Sequence, residues 1–161
     1  MEVRTKILAP EVLLEEYAKL LREDPEVGEL PLVISGNSMS PFLIGGRDTV
    51  WLSRVDRPLQ VGDAVLYRRK SGSYVFHRIY RICDNCFTMI GDAQTVLESG
   101  IEPEQIIAVM TRAERKGKLL MPGDFWWFFF EKVWIRMIPL RRIVARIYSS
   151  FWKLSGKEKR G

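Results

Sequence analysis

The sequence predicts a mostly β fold of the α+β class, with an antiparallel β core, an N-terminal helix and C-terminal amphipathic helices. Between residues 30 and 118, short runs rich in Val, Ile, Thr, Tyr and Trp alternate with closely spaced turn signals. Before and after that region, apolar residues recur at the spacing of an α-helix. The chain has 161 residues, of which 47% are hydrophobic, and this is enough for one packed domain with accessory segments.

The β region is expected to consist of short strands separated by turns that contain Gly, Asp or Asn. The expected strands are 32–35, Thr49–Ser53, Ala64–Arg68, Tyr74–Cys83, Cys86–Ile90 and 106–113. We therefore divide the chain into an N-terminal helical segment at 1–29, a β core at 30–118 and a C-terminal segment at 119–161.

The N-terminal helix is expected to begin at Pro10, because proline fits the first turn of a helix, and to end before Asp24-Pro25. The residues before it contain no long apolar stretch, so no signal peptide is expected. No run of about 18 uncharged apolar residues occurs in the sequence, so no membrane-spanning helix is expected either. These features predict a cytoplasmic or peripheral membrane-associated protein.

The C-terminal segment 125–154 combines many aromatic residues with basic residues close to every fourth position. Pro139 is expected to divide it into two helices. A basic face opposite a Trp- and Phe-rich face is typical of a helix that lies in a membrane interface. The alternative is a helix that packs on the β core with its arginines in solvent.

The charge of the chain is concentrated in the same segment. Residues 125–161 hold nine Lys or Arg and two Glu, whereas the remainder is slightly acidic. Such an asymmetry indicates an anionic partner, and an anionic membrane is the favoured one. Nucleic acid is the least favoured partner, because the arginines follow a helical face and do not line a β groove.

The strongest candidate for chemistry is Ser38, which follows a predicted strand in a turn that Gly36 makes tight. A serine hydroxyl needs a base to become a nucleophile at neutral pH. His77 is the only histidine and titrates near neutrality, so it is the predicted base. Lys70 is a weaker candidate, because an exposed lysine stays protonated at neutral pH.

Two carboxylates, Asp92 and Glu98, are candidates to orient the His77 imidazole and to stabilise its charged form. The sequence leaves the choice between them open. The backbone N–H of Ser38, with the Ser35 hydroxyl, is the candidate for stabilising an oxyanion.

Cys83 and Cys86 are spaced as CxxC. Because a zinc site needs about four ligands and no second cysteine pair is present, a metal site is not expected. The spacing instead fits two cysteines that flank a two-residue hairpin turn. No cofactor is expected.

Four sequence boxes together resemble those of the type I signal peptidase family. They are Gly36-Asn37-Ser38-Met39-Ser40-Pro41, then Val61-Gly62-Asp63-Ala64-Val65, then His77-Arg78, then Gly91-Asp92. Their order and spacing are similar to those of the family, and they cover roughly residues 32–113. The resemblance implies a signal-peptidase-like β core and a Ser-His peptidase subgroup.

The resemblance also implies residue roles. Ser38 matches the nucleophile and His77 the base, while Asp92 and Glu98 match the first and second acidic positions, the latter usually an aspartate. Met39 matches a residue of the pocket floor or of the local packing.

The sequence departs from the family in several places. Asn37 adds one residue to the usual Ser-Gly-Ser-Met box, which is more similar to the related self-cleaving repressors, and the usual membrane-spanning segment is not evident. The resemblance implies an endopeptidase that removes a leader or signal segment from a peptide or protein precursor. The alternative is a catalytically silent relative that binds peptides or membranes.

Overall fold

The computed structural model describes residues 10–155, and of residues 10, 11, 145 and 148–155 it describes the backbone alone. Its helices are α1 Pro10–Glu23, α2 Phe125–Phe128 and α3 Ile138–Ser155, with a 3-10 turn at Pro103–Gln105, a π turn at Phe129–Val133 and a 3-10 turn at Trp134–Arg136. Its strands are β1 Glu29–Val33, β2 Thr49–Ser53, β3 Ala64–Arg68, β4 Tyr74–Cys83, β5 Cys86–Ile90, β6 Glu98–Ile101, β7 Ile106–Arg115 and β8 Lys118–Leu120.

The strands form one antiparallel sheet, which confirms the predicted mostly β, α+β fold class. Its strand order is β1-β2-β7-β3-β4-β5-β6, and β8 pairs with β7. Strands β2, β3, β4 and β5 have the predicted bounds. β1 both begins and ends earlier than the expected 32–35, and β7 continues further than expected. The sequence analysis did not predict the short strands β6 and β8.

The two faces of the sheet cover two groups of buried side chains. On β3, Ala64 and Leu66 contribute to the larger group, and Val65 and Tyr67 contribute to the smaller one. This alternation is the period of two that a strand buried on both faces must have.

Helix α1 packs on the larger group through Ala18 and Leu21, which are both buried. The Tyr17 hydroxyl donates a hydrogen bond to the carbonyl oxygen of Pro31 in β1, at 2.6 Å. The predicted N-terminal helix therefore packs against the β core next to its first strand.

The C-terminal segment joins the same core. Trp127, Phe130 and Trp134 are buried in the larger group, and the Phe42 and Phe130 ring centroids are 4.7 Å apart. The helical path breaks at Met137, and Pro139 lies in the first turn of α3. No helix within residues 10–155 is long and apolar enough to cross a bilayer.

Candidate active site

Ser38 lies in a turn between β1 and β2, where Gly36 adopts a positive φ of 71°. A Cβ atom on Gly45 would lie 2.3 Å from the Gly36 carbonyl oxygen, so two backbone segments meet here without side chains between them. Ser35, Gly36 and Asn37 are exposed, and Ser38 is half-buried. Met39 is buried in the larger core group, so it anchors the turn that presents Ser38.

His77 lies on β4 and is only 3% exposed. A Cβ atom on Gly91 would lie 3.1 Å from His77 Nε2 and 2.5 Å from the Ser38 carbonyl oxygen. The Ala93 N–H also donates to that carbonyl oxygen, at 2.9 Å. The absence of a side chain at Gly91 therefore lets the Ser38 turn and the His77 ring pack against the same backbone.

Ser38 and His77 both line a cleft of about 720 Å³. The residues around it come from α1, the end of β1, the Ser38 turn, β3 and the first half of β4. They include Leu13, Leu32, Ile34, Ser35, Gly36, Met39, Leu66 and Phe76. Arg69 and Gln94 add polar groups to this mostly apolar lining.

A chain of polar contacts leads from the His77 ring to a carboxylate. The Tyr67 hydroxyl oxygen lies 3.3 Å from His77 Nδ1, and it donates to Glu98 Oε2 at 2.7 Å. Because its single proton goes to Glu98, the Tyr67 oxygen can only accept a hydrogen bond from Nδ1–H. This network assigns the neutral tautomer of His77 in which Nε2 carries no proton.

Burial sets the protonation of His77. It lowers the His77 pKa to about 4, because the charged imidazolium is desolvated in this pocket. The negative charge of Glu98 raises the His77 pKa, whereas the positive charge of Arg69 lowers it. At neutral pH the ring is therefore uncharged and able to accept a proton.

Arg69 neutralises Glu98. Its Nε and Nη2 atoms each lie 2.7 Å from a Glu98 carboxylate oxygen. Hydrogen bonding to Arg69, together with that from Tyr67, lowers the Glu98 pKa, and burial opposes the shift. Glu98 therefore remains an anion and accepts the Tyr67 hydrogen bond at neutral pH.

Asp92 faces a different partner. It is fully buried, and Arg78 Nε lies 3.0 and 3.1 Å from its two carboxylate oxygens. Burial raises the Asp92 pKa, whereas the positive charge of Arg78 lowers it. Because His77 and Arg78 are consecutive in β4, their side chains point to opposite faces of the sheet. The geometry thus connects His77 to Glu98, through Tyr67, and connects Asp92 to Arg78.

The remaining sequence candidates lie away from this cluster. Lys70 is exposed, and its Nζ atom lies 2.7 Å from Glu102. Cys83 and Cys86 oppose each other across a two-residue turn, as predicted, and both are free thiols.

Sequence reasoning missed Tyr67 and Arg69. A signal for Tyr67 was present, because the predicted strands β3 and β4 flank a short turn and therefore pair as a hairpin. The observed register places Val65 opposite His77, so Tyr67 lies two residues further along β3 on the same face.

Sequence reasoning also missed two contacts from the C-terminal segment. Trp134 Nε1 donates to the Asp92 carbonyl oxygen at 2.9 Å. Arg141 Nη1 donates to the carbonyl oxygens of Gly91 and Gln94, at 2.8 and 2.9 Å. The basic periodicity of the segment gave no sign that one arginine turns inward.

Comparisons with protein-family models, with curated proteins and with solved structures find no match to this chain. The chemistry of the cluster therefore rests on its own geometry: a half-buried serine, a buried neutral imidazole and a cleft beside both.

Proposed function

We propose that this protein is a serine endopeptidase of signal-peptidase type, which removes a leader or signal segment from a peptide or protein precursor. The observation that supports it best is the close packing of the Ser38 turn and the His77 ring against Gly91, at the wall of a cleft. The resemblance of the sequence boxes to the type I signal peptidases gives the substrate class.

In the proposed reaction, Ser38 Oγ attacks the carbonyl carbon of the scissile peptide bond and His77 Nε2 takes its proton. The backbone N–H of Ser38, with the Ser35 hydroxyl, donates to the developing oxyanion. His77 then gives the proton to the leaving amine, and an acyl-enzyme forms. Water, activated by the same imidazole, releases the precursor fragment and restores Ser38.

Glu98 acts through Tyr67 in this scheme. The Tyr67 oxygen accepts Nδ1–H and keeps Nε2 as the basic nitrogen, while the Glu98 charge favours the imidazolium that forms during attack. Burial opposes that charge, so the carboxylate offsets part of the desolvation. Tyr67 and Glu98 are therefore positioning residues of the proposed site.

An extended peptide fits the cleft as an added strand. β1 lies at one edge of the sheet, and among residues 10–155 the pairing of β4 with β5 begins only at Arg78. The first half of β4 therefore offers backbone groups on its outer side. The apolar walls near Ile34, Leu66 and Phe76 favour small or apolar substrate side chains beside the scissile bond.

We also propose that the protein works at the surface of an anionic membrane, as a peripheral protein on the cytoplasmic side. Phe125 and Phe128 of α2, and Ile143 and Ile147 of α3, are more than half exposed. Exposed aromatic and aliphatic side chains on a strongly basic segment are typical of a membrane-interfacial helix.

The test is cleavage of a panel of leader and signal peptides, read by mass spectrometry with and without anionic vesicles. Wild type, Ser38→Ala and His77→Ala are compared, and Ser71→Ala, in an exposed turn, is the matched serine control. We expect one defined cut in wild type and Ser71→Ala, and none in the two site variants.

A cut that persists in Ser38→Ala would show that another nucleophile, or a contaminant, is responsible. Binding of the panel peptides by wild type without any cleavage would favour the alternative, a silent peptide-binding relative of the same fold.

A further inference from the structure

The guanidinium of Arg141 is buried under the candidate active site. Arg141 lies near the start of α3 and is 2% exposed. It donates to three backbone carbonyl oxygens, those of Gly91, Gln94 and Trp134, at 2.8, 2.9 and 3.0 Å. Burial lowers the Arg141 pKa, and the negative charge of Asp92 raises it. A charged donor that satisfies several carbonyls at once fixes their relative positions, because its planar fork is rigid.

The loop that Arg141 holds, residues 91–94, contacts both Ser38 and His77. Gly91 packs against the His77 ring, and Ala93 N–H donates to the Ser38 carbonyl oxygen. A second contact from the C-terminal segment holds the carbonyl between them, because Trp134 Nε1 donates to Asp92. The carbonyls at 91, 92 and 94 are therefore all bound by side chains of one segment.

We propose that Arg141 is a positioning residue for the Ser38-His77 pair, so that the C-terminal helix is a working part of the active site. This inference rests on the proposed peptidase function. The chain of contacts is short: Arg141 holds the 91–94 loop, and the loop holds both the backbone of Ser38 and one side of His77. A misplacement of about 1 Å between reacting groups can lower a rate by about 10²-fold.

The basic pattern of α3 and its inward arginine have separate roles under this proposal. Arg142 of α3 is exposed, whereas Arg141 faces the loop. Methionine replaces the aliphatic part of arginine but is shorter and donates no hydrogen bonds, so Arg141→Met leaves the three carbonyls without their donor. Lysine keeps the charge and reaches fewer carbonyls, because its donors lie on one nitrogen.

The experiment compares Arg141→Met, Arg141→Lys and Trp134→Phe with wild type, on a soluble peptide that wild type cleaves. Arg81→Met, which removes an exposed arginine of β4, is the control. We expect Arg141→Met to lower kcat by about 100-fold with KM changed less than about threefold. Arg141→Lys should recover part of that loss, Trp134→Phe should show a smaller loss, and Arg81→Met should behave as wild type.

Amide hydrogen exchange provides a second readout that needs no activity. In Arg141→Met, the amides of 91–97 should exchange faster while those of β2 and β7 keep their protection. Faster exchange throughout the sheet of Arg141→Met would mean that this variant unfolds generally. Trp134→Phe is then the test, and in it faster exchange confined to 91–97, together with a lower kcat, supports the proposal. If Arg141→Met folds, cleavage rates and amide exchange equal to those of wild type would overturn the proposal. If it unfolds, the same result in Trp134→Phe would overturn it.

Failure of the proposed function looks different. If wild type cleaves no peptide, the kinetic comparison is empty, but exchange still reports whether Arg141 holds the loop. Faster exchange at 91–97 in Arg141→Met would then show that Arg141 stabilises the loop but has no catalytic role, which overturns the inference as stated.

Discussion

Acidification should destabilise this protein through His77. The ring is 3% exposed and its pKa is lowered to about 4 by burial, whereas an unfolded histidine titrates near 6.5. As the pH falls, His77 becomes protonated in the unfolded chain at a higher pH than in the folded protein. The contribution of the neutral ring to folding stability is therefore fully present above about pH 6.5. That stability is lost as the pH falls from about 6.5 to about 4.

The expected size of the loss follows from the two pKa values. Each unit of difference corresponds to about 1.4 kcal/mol, so His77 should lower the free energy of unfolding by about 1.4 kcal/mol at pH 5.5. At pH 4.5 the loss should reach about 2.5 kcal/mol relative to pH 7.5. The first of these conditions lies above the ordinary range of Asp and Glu, so carboxylate titration contributes little there.

The assay is urea unfolding at a series of pH values, for wild type and for His77→Gln, which does not titrate. The difference between the two free energies of unfolding cancels most contributions from the other groups. We expect that difference to shift by the amounts above as the pH falls. A difference that stays constant from pH 7.5 to 4.5 would show that the His77 pKa is the same folded and unfolded, and that the burial argument is wrong.

Three further perturbations test the site and the core. Tyr67→Phe removes the acceptor of His77 Nδ1–H, so kcat should fall about tenfold or more with little change in KM. The acid limb of the pH profile of kcat should also move. An unchanged rate and pH profile would show that Tyr67 has no part in the proposed mechanism. Gly91→Ala places a Cβ atom against Ser38 and His77, so it should lower the free energy of unfolding by about 1–3 kcal/mol and remove most of the activity. Gly28 has open space around it, and Gly28→Ala serves as the control in the same assays. Phe130→Ala should lower the free energy of unfolding by about 3–5 kcal/mol and exposed Phe128→Ala by less than about 0.5 kcal/mol; equal losses would contradict the packing of the C-terminal segment on the core.

The fold class could be predicted because the sequence repeats strong local signals. Ala64–Arg68 and Tyr74–Cys83 are rich in β-branched and aromatic residues, and turn residues lie between them. Glu98–Ile101 has no such signal, since only Ile101 has a high β propensity. Its strand conformation comes from pairing with β5, where Ile101 opposes Phe87. Pairing of this kind depends on the assembled sheet, which local sequence does not specify.

The C-terminal segment shows a second limit of periodicity. The pattern predicted helices and a break near Pro139, and both are present. It left open whether this segment packs on the core, where Trp127 and Trp134 are buried, because aromatic residues suit a core and a membrane interface equally. Which face a helix buries depends on the sheet it meets, and that information lies in other parts of the chain, such as Phe42 and β7.

The choice between the two carboxylates depends on which face of β4 each one meets. Consecutive residues of a strand face opposite sides, so His77 and Arg78 must have different partners. Arg78 lies over the Phe42 ring, on the side of the larger core group, and Asp92 pairs with it there. Glu98 lies on the His77 side, paired with Arg69, so the ring has a nearby anion whose charge is largely balanced. Burial keeps the ring neutral at rest, and in the proposed reaction the negative charge of Glu98, partly balanced by Arg69, favours the imidazolium when the ring takes up a proton.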